Sequence, residues 1–369
     1  MTRTAKAVKP KPKIYKPATR KEAQARQLER LEGRTEGLKK DMKTQTRGKK
    51  QVLVRQFNSV TIFDLIDLTK TPEDIFKWMQ GMGVFECPTA CAECGEAFGD
   101  PVLHPDKTAE RLNWVYRCGR PCRRRTPLRQ GSWFQGRRFS DNVILWALYE
   151  WCHGTTLLEI QLTLGLNETN SFYRLIDDFQ SLVCLHDTPP LLDGVVEADE
   201  YEQGRHQKGI HGHPTSVKAD IRGVFQRGTG LCNLEVFQKL KPDGDRRKGP
   251  PSEADVVPFV KTACAPCILF TDGAKAYCSL AGSGFTHFHV SHTDGEWFRD
   301  EKIMVKGILK DFSVNTNGID GLWGKYTVWI GSKFGVSRAK TPGYVKEYQW
   351  RTNHASEDLF DLALSYMAE

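Results

Sequence analysis

Residues 194–200 read Gly-Val-Val-Glu-Ala-Asp-Glu, and they are the most informative part of the chain for its fold. The apolar start of this stretch, with its β-branched side chains, predicts a buried strand that runs into a cluster of acids. A carboxylate in the interior must be paired, neutralised or bound to a metal ion. Taken alone, the stretch is better explained as a strand end that reaches solvent. A second acid at a comparable place would instead favour a site.

A second acid does end an apolar strand further along the chain. Residues 267–272 read Cys-Ile-Leu-Phe-Thr-Asp, which predicts a strand that finishes with its acid. Before it lie predicted strands at Val217–Phe225 and Leu231–Phe237, and then a helix. Three antiparallel strands, a helix and a fourth strand are the order of a ribonuclease H-like sheet, in which the first and fourth strands are neighbours. The chain is therefore predicted to be an α/β protein with a mixed sheet that places Asp199 beside Asp272.

These two acids imply a particular kind of metal site. Two carboxylates held together repel each other, and a divalent cation is the ordinary way to stabilise them. Oxygen ligands without His or Cys indicate Mg²⁺ or Mn²⁺ in preference to zinc. Cys264 and Cys267 have CxxC spacing, but they have no second pair nearby and are interpreted as core residues.

The sequence after Asp272 is interpreted as further elements of the same domain. A helix at Ala274–Leu280 and a strand at Thr286–Val290 precede a hydrophilic stretch, His292–Asp311. A helix follows, with Asn317 as its predicted cap and Asp320 one turn in. An aromatic-rich helix near the C-terminus is expected to pack on the sheet.

Four cysteines upstream are spaced as two metal-binding knuckles. Cys91 and Cys94 have CxxC spacing and precede a glycine. Cys118 and Cys122 follow after a spacer that fits a β-ribbon. Four thiolates at two knuckles satisfy tetrahedral Zn²⁺, whereas a set of unrelated buried thiols is the less favoured alternative. Cys87 is a spare thiol that could replace Cys91 as a ligand.

Basic residues follow the second cysteine pair. Arg123, Arg124 and Arg125 come directly after it, and Arg129 lies a few residues further on. Arginines at the edge of a zinc site are suited to contact DNA phosphates. A solvated strand edge explains the same residues equally well.

Residues 139–184 have the apolar spacing of three helices. Ser140 can cap the first helix, Thr156 opens the second, and the third is predicted over Glu168–Val183. A glycine turn between the last two predicts a small helix-turn-helix-like domain that binds DNA. The alternative is a helical spacer, because Arg174 is the single basic residue of the third helix.

Charge is unevenly distributed along the 369 residues. The net charge is +8, yet residues 1–50 alone contain 17 Lys and Arg against 5 Asp and Glu. Such a tail suits a polyanion or an import receptor, with a solvated tail that has no partner as the alternative. We see neither a run of apolar residues long enough for a membrane span nor a signal peptide, so we expect an intracellular protein without a membrane partner.

Three motifs resemble those of the Merlin superfamily of DDE transposases, the eukaryotic relatives of a group of bacterial insertion-sequence transposases. They are Val-Glu-Ala-Asp-Glu at 196–200, Phe-Thr-Asp-Gly at 270–273 and Asn-Thr-Asn-Gly-Ile-Asp-Gly-Leu-Trp at 315–323. The cysteine knuckles and the arginine-rich segment are similar to that family's N-terminal zinc ribbon. The resemblance covers roughly residues 87–353, and its specific part is the order of sparse motifs.

The resemblance implies cut-and-paste DNA transposition with two Mg²⁺ or Mn²⁺ ions. Asp199, Asp272 and Asp320 match the three acids that hold these ions, and Asn317 matches an Asn of the third motif. It also implies double-stranded DNA as the partner, both as transposon ends and as target. A homodimer or higher synaptic assembly, located in the nucleus, is expected on the same grounds.

Two positions depart from the family's pattern. The third acid is usually Glu, and Asp320 is shorter by one methylene. The family's helix usually carries Lys four residues after the Trp, where this chain has Thr327 and its nearest lysine is Lys325. A domesticated, catalytically inactive DNA-binding protein therefore stays open as an alternative, as does a structure-selective nuclease on the same fold.

Together these patterns and the resemblance predict five consecutive regions. They are a basic disordered tail (1–54), a short helical segment (55–86), a zinc ribbon (87–135), a helix-turn-helix-like DNA-binding domain (136–190) and a ribonuclease H-like DDE transposase domain (191–369).

Overall fold

The computed structural model describes residues 60–85, 87–99, 101–106, 111–119, 121–167, 169–204, 219–239, 250–305, 307–333 and 336–369. The predicted basic tail at 1–54 lies outside these residues. The chain divides into two compact units, Met1–Leu175 with Ser356–Glu369 and Ile176–Ala355. This division differs from the boundaries inferred from sequence, because it falls inside a helix and assigns the C-terminal residues to the first unit.

The described residues form the following elements in chain order. The first unit and the helix that leaves it contain α1 (Ile62–Leu68), α2 (Pro72–Gly81), β1 (Val102–Asp106), β2 (Arg111–Arg117), β3 (Arg125–Pro127), α3 (Asp141–Cys152), α4 (Leu157–Thr163) and α5 (Thr169–His186). The chain continues with β4 (Val195–Gln203), β5 (Ala219–Gln226), β6 (Cys232–Phe237), α6 (Glu253–Ala263), β7 (Ile268–Asp272), β8 (Thr286–Val290), β9 (Arg299–Val305), β10 (Ile308–Val314), α7 (Asn317–Gly331), α8 (Thr341–Asn353) and α9 (Leu359–Met367). Two 3₁₀ helices lie at Lys275–Ser283 and His292–Asp294.

The second unit is built on a mixed sheet with the strand order β6-β5-β4-β7-β8 in the described residues. The strands β4, β5 and β6 are antiparallel neighbours, whereas β4 and β7 are parallel, as are β7 and β8. The prediction that the first and fourth strands are adjacent is therefore confirmed. The predicted strand at Thr286–Val290 also has the bounds expected from sequence.

Helices cover both faces of this sheet, as expected for strands with few polar positions. On one face, Val196 and Ala198 of β4 pack with Val256 and Val260 of α6. On the other face, Trp323 and other aromatic residues of α7 and α8 pack on β5 and β6. Alternate residues of β4 therefore point into different cores, which separates Asp199 from the neighbouring Glu200.

The hydrophilic stretch predicted at His292–Asp311 contains an antiparallel hairpin, β9 and β10. Its inner face is apolar, and Ile303 and Val314 are buried against Phe270 of β7. Its outer face exposes Met304 and other residues to solvent. The prediction missed the hairpin because its charged residues outnumber the few apolar ones that face inward.

The first unit has its own core of helices, together with the antiparallel sheet β1-β2-β3. The three helices predicted at 139–184 are observed, and the hydroxyl groups of Ser140 and Thr156 cap α3 and α4. The C-terminal helix α9 was not predicted, and its buried Phe360 packs against the rings of Trp78 and Tyr149. Among the described residues, no helix is both long and apolar enough to cross a membrane.

Candidate metal-binding active site

Three acidic residues are brought together beside the central strands β4 and β7. Asp199 lies on β4 opposite Gly223 of β5. Ala198 pairs with Thr271 in the parallel ladder, so the next residues along, Asp199 and Asp272, lie at the same level of adjacent strands. Asp320 lies in the first turn of α7, which packs on β4 and β5.

The electrostatics of Asp199 show that the three carboxylates act on one another. Burial, together with the negative charges of Asp272 and Asp320, raises the pKa of Asp199 to about 7. Desolvation and nearby like charge both disfavour the ionised carboxylate. A cation placed among the three groups would relieve this cost.

Hydrogen bonds from the protein orient each carboxylate. Trp323 Nε1 donates to Asp199 Oδ2 over 3.0 Å. The backbone amide of Ala274 donates to Asp272 Oδ1 over 3.1 Å. The hydroxyl of Thr316 donates to Asp320 Oδ2 over 3.0 Å. Carboxylate oxygens are the kind of ligand that Mg²⁺ and Mn²⁺ prefer.

The three carboxylates do not form a compact ligand group of the kind that binds a single ion in the described residues. Within the part of the chain that the structure describes, only a cysteine cluster brings three or more ligand atoms within 4.8 Å of one another. In sites with two ions, which lie about 3.5–4 Å apart, carboxylates that bind different ions need not be in contact.

Trp323 is a part of this site that the sequence reasoning did not assign. Its ring lies directly on Gly223, where a Cβ atom would come within 2.8 Å of the ring and of Leu234. Glycine at this position therefore lets the indole approach the strand and reach Asp199. The tryptophan was visible in the third motif, but its contact with Asp199 depends on the packing of α7 against the sheet.

The acids beside Asp199 occupy different faces of β4. Glu197 is buried, and its Oε2 accepts a hydrogen bond from the Ile319 amide over 2.8 Å. Glu200 faces the other core, where the Tyr277 hydroxyl donates to its carboxylate. Burial, followed by the charges of Asp199 and other acids, raises the pKa of Glu200 to about 8.

The remaining predicted residues of this site lie on α7. Asn317 is exposed and is the first residue of the helix, so Thr316, not Asn317, occupies the cap position. Lys325 is exposed and lies about 140° around the helix axis from Asp320. The helix therefore separates Lys325 from the carboxylates. Thr327 lies on the same side as Asp320, and its Oγ1 donates to the Trp323 carbonyl over 2.7 Å.

Four cysteines of the first unit converge as the sequence predicted. The Sγ atoms of Cys91, Cys94, Cys118 and Cys122 all lie within 4.8 Å of one another. Two of their separations are 3.8 Å and 3.2 Å, far longer than a disulfide bond. Sulfur atoms around Zn²⁺ with bonds of 2.3 Å would lie about 3.8 Å apart. The cluster therefore fits zinc.

The thiols of this cluster differ in the direction of their pKa shifts. Backbone amides of Cys94 and Glu93 lower the pKa of Cys91 to about 7. The pKa of Cys118 is raised, first through its contact with the Cys94 sulfur and then by burial. Cys87 lies outside the cluster, and its sulfur accepts a hydrogen bond from Gln80 over 3.1 Å. The geometry therefore favours Cys91 over Cys87 as the ligand.

The arginines after the second cysteine pair have different environments. Arg123 and Arg125 are exposed, and Arg124 is exposed while paired with Glu93. Arg129 does not fit the predicted DNA contact. Its side chain is only 12% exposed, because it forms an ion pair with Asp141 at the start of α3. Arg129 therefore serves the packing of the first unit.

Comparisons with known proteins relate one part of the chain to transposases. No curated protein matches the sequence. Residues 251–353, which include Asp272 and Asp320 but not Asp199, match a family described as the ISXO2-like transposase domain. The match covers less than a third of the chain and does not single out the Merlin superfamily. It supports a DDE-type transposase family for the segment from α6 to α8, which carries the second and third acids.

Proposed function

We propose that this protein is a DNA transposase that cleaves and joins DNA strands at transposon ends with divalent metal ions. The observation that carries this proposal is the placement of Asp199 and Asp272 at the same level of adjacent parallel strands, where burial and the charges of Asp272 and Asp320 raise the pKa of Asp199. Acids that perturb one another in this way are concentrated at functional sites. The match of residues 251–353 to a transposase family supports the same conclusion.

In the proposed chemistry, the residues of the site bind and orient the metal ions. Asp199, Asp272 and Asp320 would hold two Mg²⁺ or Mn²⁺ ions. Bound ions of this kind would activate the attacking water and stabilise the leaving 3′ oxygen. Trp323 holds Asp199 in one orientation, which limits the rearrangement that metal binding requires. No covalent bond between protein and DNA is needed.

Other parts of the chain have proposed roles in DNA binding. A zinc ribbon around the four-cysteine cluster would present Arg123, Arg124 and Arg125 to DNA phosphates. The helices α3, α4 and α5 would form a helix-turn-helix-like domain. We further propose a ribonuclease H-like catalytic domain, membership of the Merlin superfamily, assembly of at least two copies on paired DNA ends, and action in the nucleus.

The test is cleavage of a DNA fragment that carries the sequences flanking the gene. In Mg²⁺, Asp199→Ala and Asp272→Ala should each lower strand cleavage by more than about 1000-fold, because each removes a metal ligand. Binding of the same DNA, measured by gel mobility shift, should be unchanged. Asp311→Ala is the matched control, since Asp311 is an exposed acid on β10 of the same unit. Full cleavage by either active-site variant would sink the assignment.

A catalytically inactive DNA-binding protein is the second candidate. Two residues of α7 favour it. Asp320 is shorter than the family's usual Glu, and Thr327 stands where the family usually has Lys. The side chain of Thr327 bonds to the helix backbone and lies 2.9 Å from the Tyr201 hydroxyl. If wild-type protein binds the flanking DNA but does not cleave it with Mg²⁺ or Mn²⁺, this second function is favoured.

A further inference from the structure

We propose that the ion pair between the buried Glu197 and the partly buried Arg227 positions Asp320, the third carboxylate of the site. This inference rests on the proposed function, since it concerns the same metal-binding acids. Glu197 and Arg227 are therefore positioning residues, which act through the start of α7 and do not themselves contact metal or DNA.

Glu197 connects the central strand directly to the first turn of α7. Its side chain is 1% exposed and lies on the same face of β4 as Asp199. One carboxylate oxygen accepts from the Ile319 amide over 2.8 Å, and the other accepts from Arg227 Nε. Ile319 directly precedes Asp320, so this hydrogen bond fixes the backbone next to the third acid. The partial positive charge at the N-terminus of α7 also favours the Glu197 carboxylate beside its first turn.

Arg227 holds the segment that leads into the same turn. Its guanidinium donates to the Ser313 carbonyl over 2.8 Å, and to the carbonyl and the Oδ1 of Asn315 over 2.7 Å each. The same group lies 4.7 Å above the ring of Phe270. Because the guanidinium fork is planar, one side chain fixes Glu197 and the end of β10 in a single geometry.

The start of α7 has little space in which to move. A Cβ atom on Gly318 would lie 2.9 Å from Glu197 Oε2 and 2.6 Å from a ring carbon of Phe225. The helix backbone therefore sits as close to Glu197 as a residue without a side chain allows. A displacement of about 1 Å in a catalytic group is enough to impair an active site.

The energetics also favour a positioning role. Burying an ion pair costs desolvation energy, and apolar residues of similar volume are often as stable or more so. A buried pair is therefore weak evidence for stability and better evidence for a fixed geometry. Here the geometry that it fixes is the approach of Asp320 towards Asp199 and Asp272.

The test measures Mn²⁺ binding by electron paramagnetic resonance, without DNA. In Glu197→Gln and Arg227→Lys, affinity at one of the two proposed ions should fall about tenfold, as it does when groups that orient metal ligands are removed. Amide hydrogen exchange over residues 315–320 should become faster in both variants without metal. Glu235→Gln is the matched control, because it breaks the Arg222–Glu235 pair of the same sheet, whose acid is 46% exposed.

A double-variant comparison separates positioning from general damage. If Glu197 acts only through Asp320, then Glu197→Gln should weaken Mn²⁺ binding no further in an Asp320→Asn background. Arg227→Lys keeps a positive charge beside Glu197. If Glu197→Gln does not fold, Mn²⁺ binding and amide exchange are measured on Arg227→Lys alone. Wild-type affinity and amide exchange in Arg227→Lys, or additive losses in the double variant, would overturn the inference. Failure of the proposed function would give a different result. In that case Asp199→Ala would bind Mn²⁺ as well as wild type does.

Discussion

At the scale of single residues, Asp199 links the stability of the protein to pH. Its pKa in the folded protein is about 7, raised by burial and by Asp272 and Asp320, against about 3.9 in an unfolded chain. The folded protein therefore binds this proton more tightly than the unfolded chain does. The stabilisation that results is complete below about pH 4 and is lost as the pH rises through about 7.

This linkage predicts that Asp199→Asn stabilises the protein at alkaline pH when no divalent ion is added. Because one pKa unit corresponds to about 1.4 kcal/mol, the free energy of unfolding of the variant, relative to wild type, should rise by on the order of 4 kcal/mol between about pH 4 and about pH 8. Urea unfolding followed by tryptophan fluorescence measures the free energy of unfolding. Asn can still accept the hydrogen bond from Trp323, so the comparison isolates the charge.

The control for this prediction is Asp311→Asn, which changes an exposed acid of the same unit. The free energy of unfolding of this variant should stay within about 0.5 kcal/mol of wild type, as is usual for surface substitutions. Added Mg²⁺ should reduce the advantage of Asp199→Asn, because bound metal stabilises only the protein that retains the site. An advantage that is equal at both pH values would contradict the pKa assigned to Asp199.

The residues of the site differed in how far the sequence could predict them. Asp199 and Asp272 could be predicted because each follows an apolar run and the order of strands makes them neighbours, although β4 continues past Asp199 to Gln203. Asp320 was identified through the family resemblance. Glu197 could not be given a role, because its partner Arg227 is 30 residues away and no spacing rule connects them. The ion pair of Arg129 was not predicted for the same reason, since its partner Asp141 belongs to the next structural element.

At the scale of elements, the helix α7 depends on its close approach to the sheet. We predict that Gly318→Ala lowers the free energy of unfolding by about 2 kcal/mol, because its Cβ atom would overlap Phe225 and Glu197. The φ angle at this position is one that other residues adopt, so the cost is steric. Urea unfolding measures the loss.

The control lies on the same helix. Gly324 is exposed, and a Cβ atom there meets no other atom within 4 Å. Gly324→Ala should therefore stabilise the protein by about 0.5–1 kcal/mol through helix propensity alone. If both substitutions stabilised α7, the tight contact at Gly318 would not exist in solution.

The hairpin β9–β10 shows the limit of predicting elements from local sequence. Its outer face includes exposed Met304 and Leu309 beside charged residues, so hydrophobicity alternates only weakly along each strand. The strand signal depends on the tertiary partner Phe270, which the local sequence does not contain. The strand β8 was predicted correctly because its bounds are marked by glycine and serine.

At the scale of the whole molecule, the chain combines two compact units with different proposed metals. The cysteine cluster lies in the first unit and the carboxylates in the second. Sulfur ligands select zinc, whereas carboxylates select Mg²⁺ or Mn²⁺, so the two kinds of site need not compete for the same ion. The sequence indicated both ligand sets, but it did not indicate that residues 356–369 return to the first unit.

We predict that the cysteine cluster binds about one zinc ion per chain and that the ion stabilises the first unit. Cys94→Ser should lower the zinc content, measured by mass spectrometry of the purified protein, to less than about a tenth of an ion. It should also make residues 87–135 sensitive to limited proteolysis, because small zinc sites supply much of their own folding energy. Cys87→Ser is the matched control and should retain the ion, since that sulfur accepts a hydrogen bond from Gln80 outside the cluster. Zinc retained by Cys94→Ser, or lost from Cys87→Ser, would show that a different set of thiols binds the metal.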